Sequence, residues 1–312
     1  MGIMIPVVRA LLREHKRRPL TGRGLLIGRQ TVPLTIQEAR ELLAEEGIDC
    51  INDQPALDTF TRFGRDRGFV SDIGFFSMFC DVLWRTLDVT DYEGAEIVHD
   101  MHEPVPSELA GQFDFIWTGS CLDNMFDPAT AMKSSARMLA PGGRVVCMEM
   151  SSAHFDAYTM YSQAWFFDYF AVNGFAECAV YSCVFDPEDI WDGPYNVYAP
   201  TGYDSASQHF SLKGHPGKAL ITLAFAERGE ESTWDRMPIQ YPYRPDHEVY
   251  RAAFERFGPG PLVAAGAERR GFAFAGTLAP IPGRRLAVER RPVSMKKRIK
   301  RTYRAFCGRS AL

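Results

Sequence analysis

The 312-residue sequence has no Cys-x-x-Cys pair, no internal repeat and no strong charge of either sign. It also has no apolar run near the ~20 residues that span a bilayer. Each absence removes a class of function. The seven cysteines (Cys50, Cys80, Cys121, Cys147, Cys178, Cys183 and Cys307) are odd in number, which argues against a disulfide framework. Without paired Cys-x-x-Cys, a zinc ribbon is not expected. Most of these cysteines lie in apolar stretches and read as small core residues in a cytoplasmic protein. A net charge of −4 argues against a broad nucleic-acid surface. The leading MGIMIPVVRALLREHKRR places its charges after its apolar stretch, the reverse of a secretory signal. Gly2 invites N-myristoylation, but Pro6 stands where that signal wants Ser or Thr.

What is present is the material of a folded α/β protein. Apolar residues make up 46% of the chain and charged residues 24%, enough to build a core. Residues 5–16 carry a helical pattern that Pro19 and the glycines at 22 and 24 break. GLLIG (24–28) reads as a buried strand ending in glycine. Residues 35–47 read as a helix opened by a Thr35/Glu38 capping box, in which each side chain satisfies a free backbone donor. Residues 51–70 look irregular, with a short aromatic helix near 73–80. Strands follow at 83–90, 95–100, 113–119 and 143–150. The Asp127-Pro128 pair starts a helix before the last of these, because proline at the first helical position loses no intrahelical bond. Residues 156–173 read as an aromatic helix, 177–185 and 219–227 as strands, and 246–257 as a helix. Strands alternating with helices imply a mostly parallel sheet covered on both faces.

In such sheets ligands collect at the carboxyl ends of the strands. The first candidate strand ends in Gly28-Arg29-Gln30-Thr31, where a glycine lets a ligand approach the backbone. The second ends in Asp88, an acceptor suited to a pair of ribose hydroxyls or to a turn. The third ends in His99-Asp100-Met101-His102-Glu103. A strand end puts i and i+3 on opposite faces, so the two histidines are poorly placed to share a metal, and no metal site is expected. The fourth gives Thr118-Gly119-Ser120-Cys121-Leu122-Asp123-Asn124, a pocket floor. Cys121 there reads as a packed or pocket-lining thiol, since no nucleophile elbow surrounds it.

This ordered series, LLIG, then LDVTDYEGAEIVHDM, then FDFIWTGSCLDNMFDPATAMKSSARMLAPGGRVVCMEM, resembles the class I S-adenosylmethionine-dependent methyltransferases. Within them it looks most like a bacterial subgroup with a DYEGA…HD segment, often associated with surface-polysaccharide or natural-product pathways. The resemblance is good over about 20–185 and extends plausibly to 227. It implies a Rossmann-like fold: a mostly parallel seven-stranded sheet with helices on both faces. It would comprise an N-terminal helix (1–19), a methyltransferase-like domain (20–227) with an insertion at 186–218, a C-terminal extension (228–289) and a basic tail (290–312). The resemblance also assigns S-adenosylmethionine as cofactor, with S-adenosylhomocysteine as product. Gly28, with Arg29 and Gln30 in the same turn, would sit by its amino-acid part, and Asp88 would hold the ribose. Asp100 and Met101 would flank the adenine. Thr118 and Gly119 would line the floor near the methyl group.

Three departures stand out. The family's GxGxG loop is reduced to one glycine at Gly28. The gap from Gly28 to Asp88 exceeds a single helix. The usual Leu-Glu-His after the fourth strand is Leu122-Asp123-Asn124. The expected activity is O-methylation of a saccharide or other small-molecule hydroxyl. His154 is the first candidate base, because its unperturbed pKa lies near neutrality, and Asp123 is the second. A non-catalytic methyltransferase-like scaffold is the competing expectation. A nicotinamide-dependent oxidoreductase is disfavoured by the missing GxGxxG and the lack of a Tyr-x-x-x-Lys pair. The basic tail, with Met295, Ile299, Tyr303 and Phe306 at helical spacing, could lie on an anionic membrane surface. The sequence does not fix an oligomeric state.

Overall fold

A computed structural model describes residues 2–152, 157–263, 271–284 and 286. Chain contacts divide it into one compact unit over Met1–Pro282 and a second over Gly283–Leu312. Ala153, His154, Phe155 and Asp156 lie outside the described residues, as does the basic tail 290–312.

The first unit opens with α1 (Ile5–Arg17), β1 (Gly22–Ile27), α2 (Ile36–Glu46) and α3 (Asp72–Ser77). The strands β2 (Val82–Asp88), β3 (Ile97–Val98) and β4 (Phe113–Trp117) follow. Next come α4 (Pro128–Met138), β5 (Leu139–Met150), α5 (Gln163–Val172) and β6 (Glu177–Phe185). The chain continues through β7 (Tyr195–Pro200), α6 (Tyr203–Ala206), β8 (Ala219–Glu227), α7 (His247–Arg256) and β9 (Phe272–Leu278).

Local chemistry sets several of these boundaries. Thr35 and Glu38 form the reciprocal capping box: Glu38 N–H donates to Thr35 Oγ1 at 3.3 Å, and Thr35 N–H to Glu38 Oε2 at 2.8 Å. Gly47 closes α2 in the left-handed conformation at φ 68°. Asp127 caps α4 through the Thr130 N–H.

All nine strands form one sheet in the order β3-β2-β1-β4-β5-β8-β6-β7-β9. The first seven positions, with β8 running antiparallel between β5 and β6, are the arrangement of the class I methyltransferase fold. The expected seven strands and mostly parallel character need correction. Four pairings are parallel, β3/β2, β2/β1, β1/β4 and β4/β5. The other four, β5/β8, β6/β8, β6/β7 and β7/β9, are antiparallel. The two extra strands come from YNVYAP and FAFAGTL. Pro200 at the end of the first and Gly276 inside the second hid them in segments read as loop or extension. Strand direction has no sequence signature of its own, since an apolar run pairs either way.

Two further boundaries move. α5 begins at Gln163 instead of 156, because Ser162 is extended at ψ 157°. β5 begins at Leu139, ahead of the Pro141-Gly142 break. Leu139 pairs with Phe113 before the register shifts, and Gly142 takes φ 76°.

Alternating strand residues feed two cores. Leu26, Phe115, Trp117, Val146 and Met148 face α1, α2 and α3. Leu25, Ile27, Ile116, Val145 and Cys147 face α4, α5 and α7. α1 is more deeply buried than its sequence pattern suggests. Val7, Val8, Leu11 and Leu12 are all inaccessible, and each such side chain contributes about 1.5–3 kcal/mol. Among the described residues no helix is long and apolar enough to cross a membrane.

Candidate functional site

The carboxyl ends of β1, β2 and β3 and the loop after β4 enclose a cavity of about 270 Å³. That is near the lower end of the ~300–1,000 Å³ usual for small-molecule sites, and suits a nucleoside-sized group. Gly28 turns off β1 at φ 71°, a conformation few L-residues adopt, and its N–H donates to the Leu87 carbonyl at 2.7 Å. This joins the ends of β1 and β2. The His99 N–H donates to the Asp88 carbonyl at 2.9 Å, bringing the segment after β3 beside Asp88.

Gly28, Asp88, Asp100 and Met101 all line this cavity. One Asp88 oxygen accepts the Val89 N–H at 2.7 Å, and the other has no hydrogen-bond partner among the described residues. Asp100 accepts from His102 twice, from N–H at 3.0 Å and from Nδ1 at 2.7 Å. These bonds, the backbone one foremost, hold the Asp100 carboxyl below its ordinary range. His102 Nε2 accepts the Phe126 N–H at 3.1 Å. With Nε2 an acceptor, the ring proton belongs on Nδ1, facing Asp100. His102 therefore clips the loop after β3 to the loop after β4.

Arg29, Gln30, Thr118, Gly119 and Asp123 do not line this cavity. Arg29 is buried and turns to Asp72 at the start of α3, with Nε–Oδ2 at 2.8 Å and Nη2–Oδ1 at 2.5 Å. Its guanidinium also stacks 4.3 Å from the Phe60 ring centre. Gln30 is inaccessible; its N–H donates to Asp72 at 2.8 Å, and its Oε1 is buried with no partner among the described residues. The long interval before β2 thus supplies Asp72 and Phe60, which lock the first turn from outside.

Thr118 and Gly119 lie in the packed end of β4. Thr118 Oγ1 is buried with no hydrogen-bond partner among the described residues. A Cβ at Gly119 would meet the Trp117 ring at 2.1 Å, so close packing requires glycine there. Asp123 is 2% exposed, and Asn124 Nδ2 donates to its Oδ1 at 2.9 Å. His154 lies outside the described residues.

Sequence reasoning placed Asn124 in the pocket floor but did not identify His99 and Met125 as cavity walls, although His99 directly follows β3. It also passed over Glu149. This carboxyl is fully buried at the end of β5 and accepts the N–H groups of Cys121 (3.4 Å), Leu122 (3.2 Å) and Asp123 (3.1 Å). Burial first, then the nearby Asp123 charge, pushes it well above its ordinary range. The Cys121 thiol donates to the Ile27 carbonyl at 2.7 Å, and burial raises its pKa well above the usual thiol value. It is a packed wall, far from a reactive thiolate.

The family model described as the ubiE/COQ5 methyltransferase family matches residues 88–177, less than a third of the chain. The match begins at Asp88 and takes in β3, β4, β5 and α5. No curated protein matches the sequence. Three solved structures resemble it distantly. The citrinin polyketide synthase CMeT domain is 11% identical at TM-score 0.39, covering 72% of this chain and 52% of that one. Haemonchus contortus phosphoethanolamine N-methyltransferase 2, bound to phosphomonomethylethanolamine and S-adenosylhomocysteine, is 12% identical at 0.36, covering 72% and 53%. Burkholderia thailandensis 1,6-didemethyltoxoflavin-N1-methyltransferase is 11% identical at 0.34, covering 72% and 78%. The chain spans about half the length of the first two. The fold assignment rests on the strand order.

Proposed function

We propose that this protein transfers a methyl group from S-adenosylmethionine to a hydroxyl of a saccharide or other small molecule. The observation that carries this reading is Asp88. It ends β2, opens the stretch matched by the methyltransferase family model and lines a nucleoside-sized cavity. It also keeps one oxygen without a partner among the described residues.

The residues fit the cofactor. Asp88 would take the ribose hydroxyls, and Asp100 and Met101 would flank the adenine. The second Asp88 oxygen, which has no partner among the described residues, is the acceptor those hydroxyls would fill. When bound, the sulfonium supplies both the electrophilic methyl and its leaving group. The protein's own task is to align the acceptor oxygen, exclude water and take its proton. His154 is the candidate base. Asp123, held between neighbouring groups, is the second candidate. His154→Ala is expected to slow transfer while cofactor affinity persists; unchanged turnover would remove it from the mechanism.

Calorimetric titration with S-adenosylmethionine and S-adenosylhomocysteine, on the intact chain and on Asp88→Asn, tests the reading. Micromolar binding is expected, weakened about 10- to 100-fold in the variant, as for one charge-assisted hydrogen-bond set. Absence of binding to the intact chain would favour the non-catalytic scaffold. The observation on that side is Arg29, turned into a buried ion pair where the glycine loop was expected.

A further inference from the structure

A second cavity, of about 690 Å³, opens between α5, the segment after α6 and residues 238–242. Its walls combine two aromatic rings, Trp165 and Tyr241, with the His209 imidazole and the polar side chains of Ser162, Asp168, Gln208 and Gln240. The rings are held in place. Trp165 meets Tyr161 and Phe166 edge-to-face, each at 4.9 Å, and the Tyr241 hydroxyl donates to Asp204 at 2.8 Å.

The charge balance restricts what can bind. Asp168 is 7% exposed and is the only acidic group on the wall among the described residues. Arg244 Nη2 neutralises it at 2.5 Å, and the Ser207 hydroxyl donates to its other oxygen at 3.0 Å. Its remaining lone pairs can accept, but they present little net charge. Among the described residues no lysine or arginine lines the cavity, and the exposed His209 is the only wall side chain able to carry a positive charge against a phosphate or carboxylate. Hydrogen-bonding capacity is plentiful. Ser162 is the N-cap of α5, yet its side chain caps no backbone N–H. The Gln208 and Gln240 side-chain amides have no partner among the described residues, and each offers both donors and an acceptor.

A pyranose ring has the complementary character. Its C–H face packs on aromatic rings, its hydroxyls donate and accept, and it is neutral. We propose that this cavity binds a glycosyl unit. Tyr161 ties the cavity wall to the loop after β4: the ring packs on Trp165 and the hydroxyl donates to the Leu122 carbonyl at 2.8 Å. Leu122 follows Cys121, a wall of the first cavity. The inference deepens the methyl-transfer reading, and rests on it only in treating the bound sugar as part of the acceptor. Binding itself needs no cofactor.

Saturation-transfer NMR on the intact chain, without cofactor, tests it. The probes are the methyl glycosides of glucose, galactose, mannose and N-acetylglucosamine, with inorganic phosphate and tetramethylammonium as alternatives. At least one glycoside is expected to receive saturation at millimolar concentration. Its affinity should fall about tenfold in Trp165→Ala and measurably in Gln208→Ala, with Trp165→Phe keeping part of it. Gln208 is exposed, so that variant stays readable even if Trp165→Ala fails to fold. The proposal is overturned if no glycoside binds, if phosphate or tetramethylammonium binds in their place, or if binding is unchanged in Gln208→Ala and Trp165→Phe. The Asp88-dependent titration reports the first cavity alone, so the two readings can fail separately.

Discussion

Arg29 and Asp72 meet in a buried, bidentate ion pair across 43 positions of sequence. The pair joins the turn after β1 to the first residue of α3, and the Gln30 N–H shares the same carboxylate. It accounts for two oddities of the sequence together. The turn carries one glycine because its second residue is anchored outward, and the interval to β2 is long because it contributes the anchor.

Removing one partner leaves a buried charge without its counter-charge, which typically costs about 3–5 kcal/mol. Asp72→Ala is therefore expected to lower stability by that amount in urea denaturation. The double variant Arg29→Met/Asp72→Leu should recover most of the loss, since replacing both partners removes the unpaired charge. Equal losses in single and double variants would contradict a pairwise role.

Glu149 gives a second expectation. Glu149→Ala strips the acceptor from three backbone N–H groups, with a cost of at least ~3 kcal/mol if they stay unsatisfied. Hydrogen exchange at Cys121, Leu122 and Asp123 should quicken relative to the amides of β6. Affinity for S-adenosylmethionine should also fall, because the same loop walls the cavity. Unchanged exchange at those three amides would show that Glu149 does not hold the loop.

Asp168 gives a third, readable through pH. Its carboxyl is pushed up to about 6 by burial, against the pull of Arg244 and Ser207. An unperturbed aspartate titrates near ~3.9. Between these values the folded chain keeps a proton that the unfolded chain has lost. The group's stabilising contribution is thus complete below the lower value and is lost as pH rises through the higher one. Stability of the intact chain, measured relative to Asp168→Asn, should decline between about pH 4 and pH 6 and then level off. A relative rise over that window would reverse the assignment.

The parts of the fold legible in the sequence are those that short-range chemistry fixes. The Thr35/Glu38 box and the Asp127-Pro128 start act over three or four residues. The apolar runs at 113–119, 177–185 and 219–227 read as buried strands. Asp88 could be singled out because it ends β2, and Asp100 and Met101 because they follow β3. Less visible were the outer strands β7 and β9, short segments that end in Pro200 or contain Gly276. Glu149 was hidden inside an apolar strand, because nothing local shows that three amides of a distant loop will need its oxygens.

The sequence by itself determined that alternating strands and helices would build a two-faced α/β sheet, and that acidic residues would stand at the ends of its second and third strands. Hydrophobic period and capping chemistry suffice for that, since both act between near neighbours. Only the tertiary structure decided strand direction, the outward turn of Arg29 and the burial of Gln30 and Thr118. It also decided the meeting of α5 with residues 238–242 around a second cavity. Those features depend on which distant groups share a desolvated space, where an unpaired charge or amide costs more than any local preference can supply.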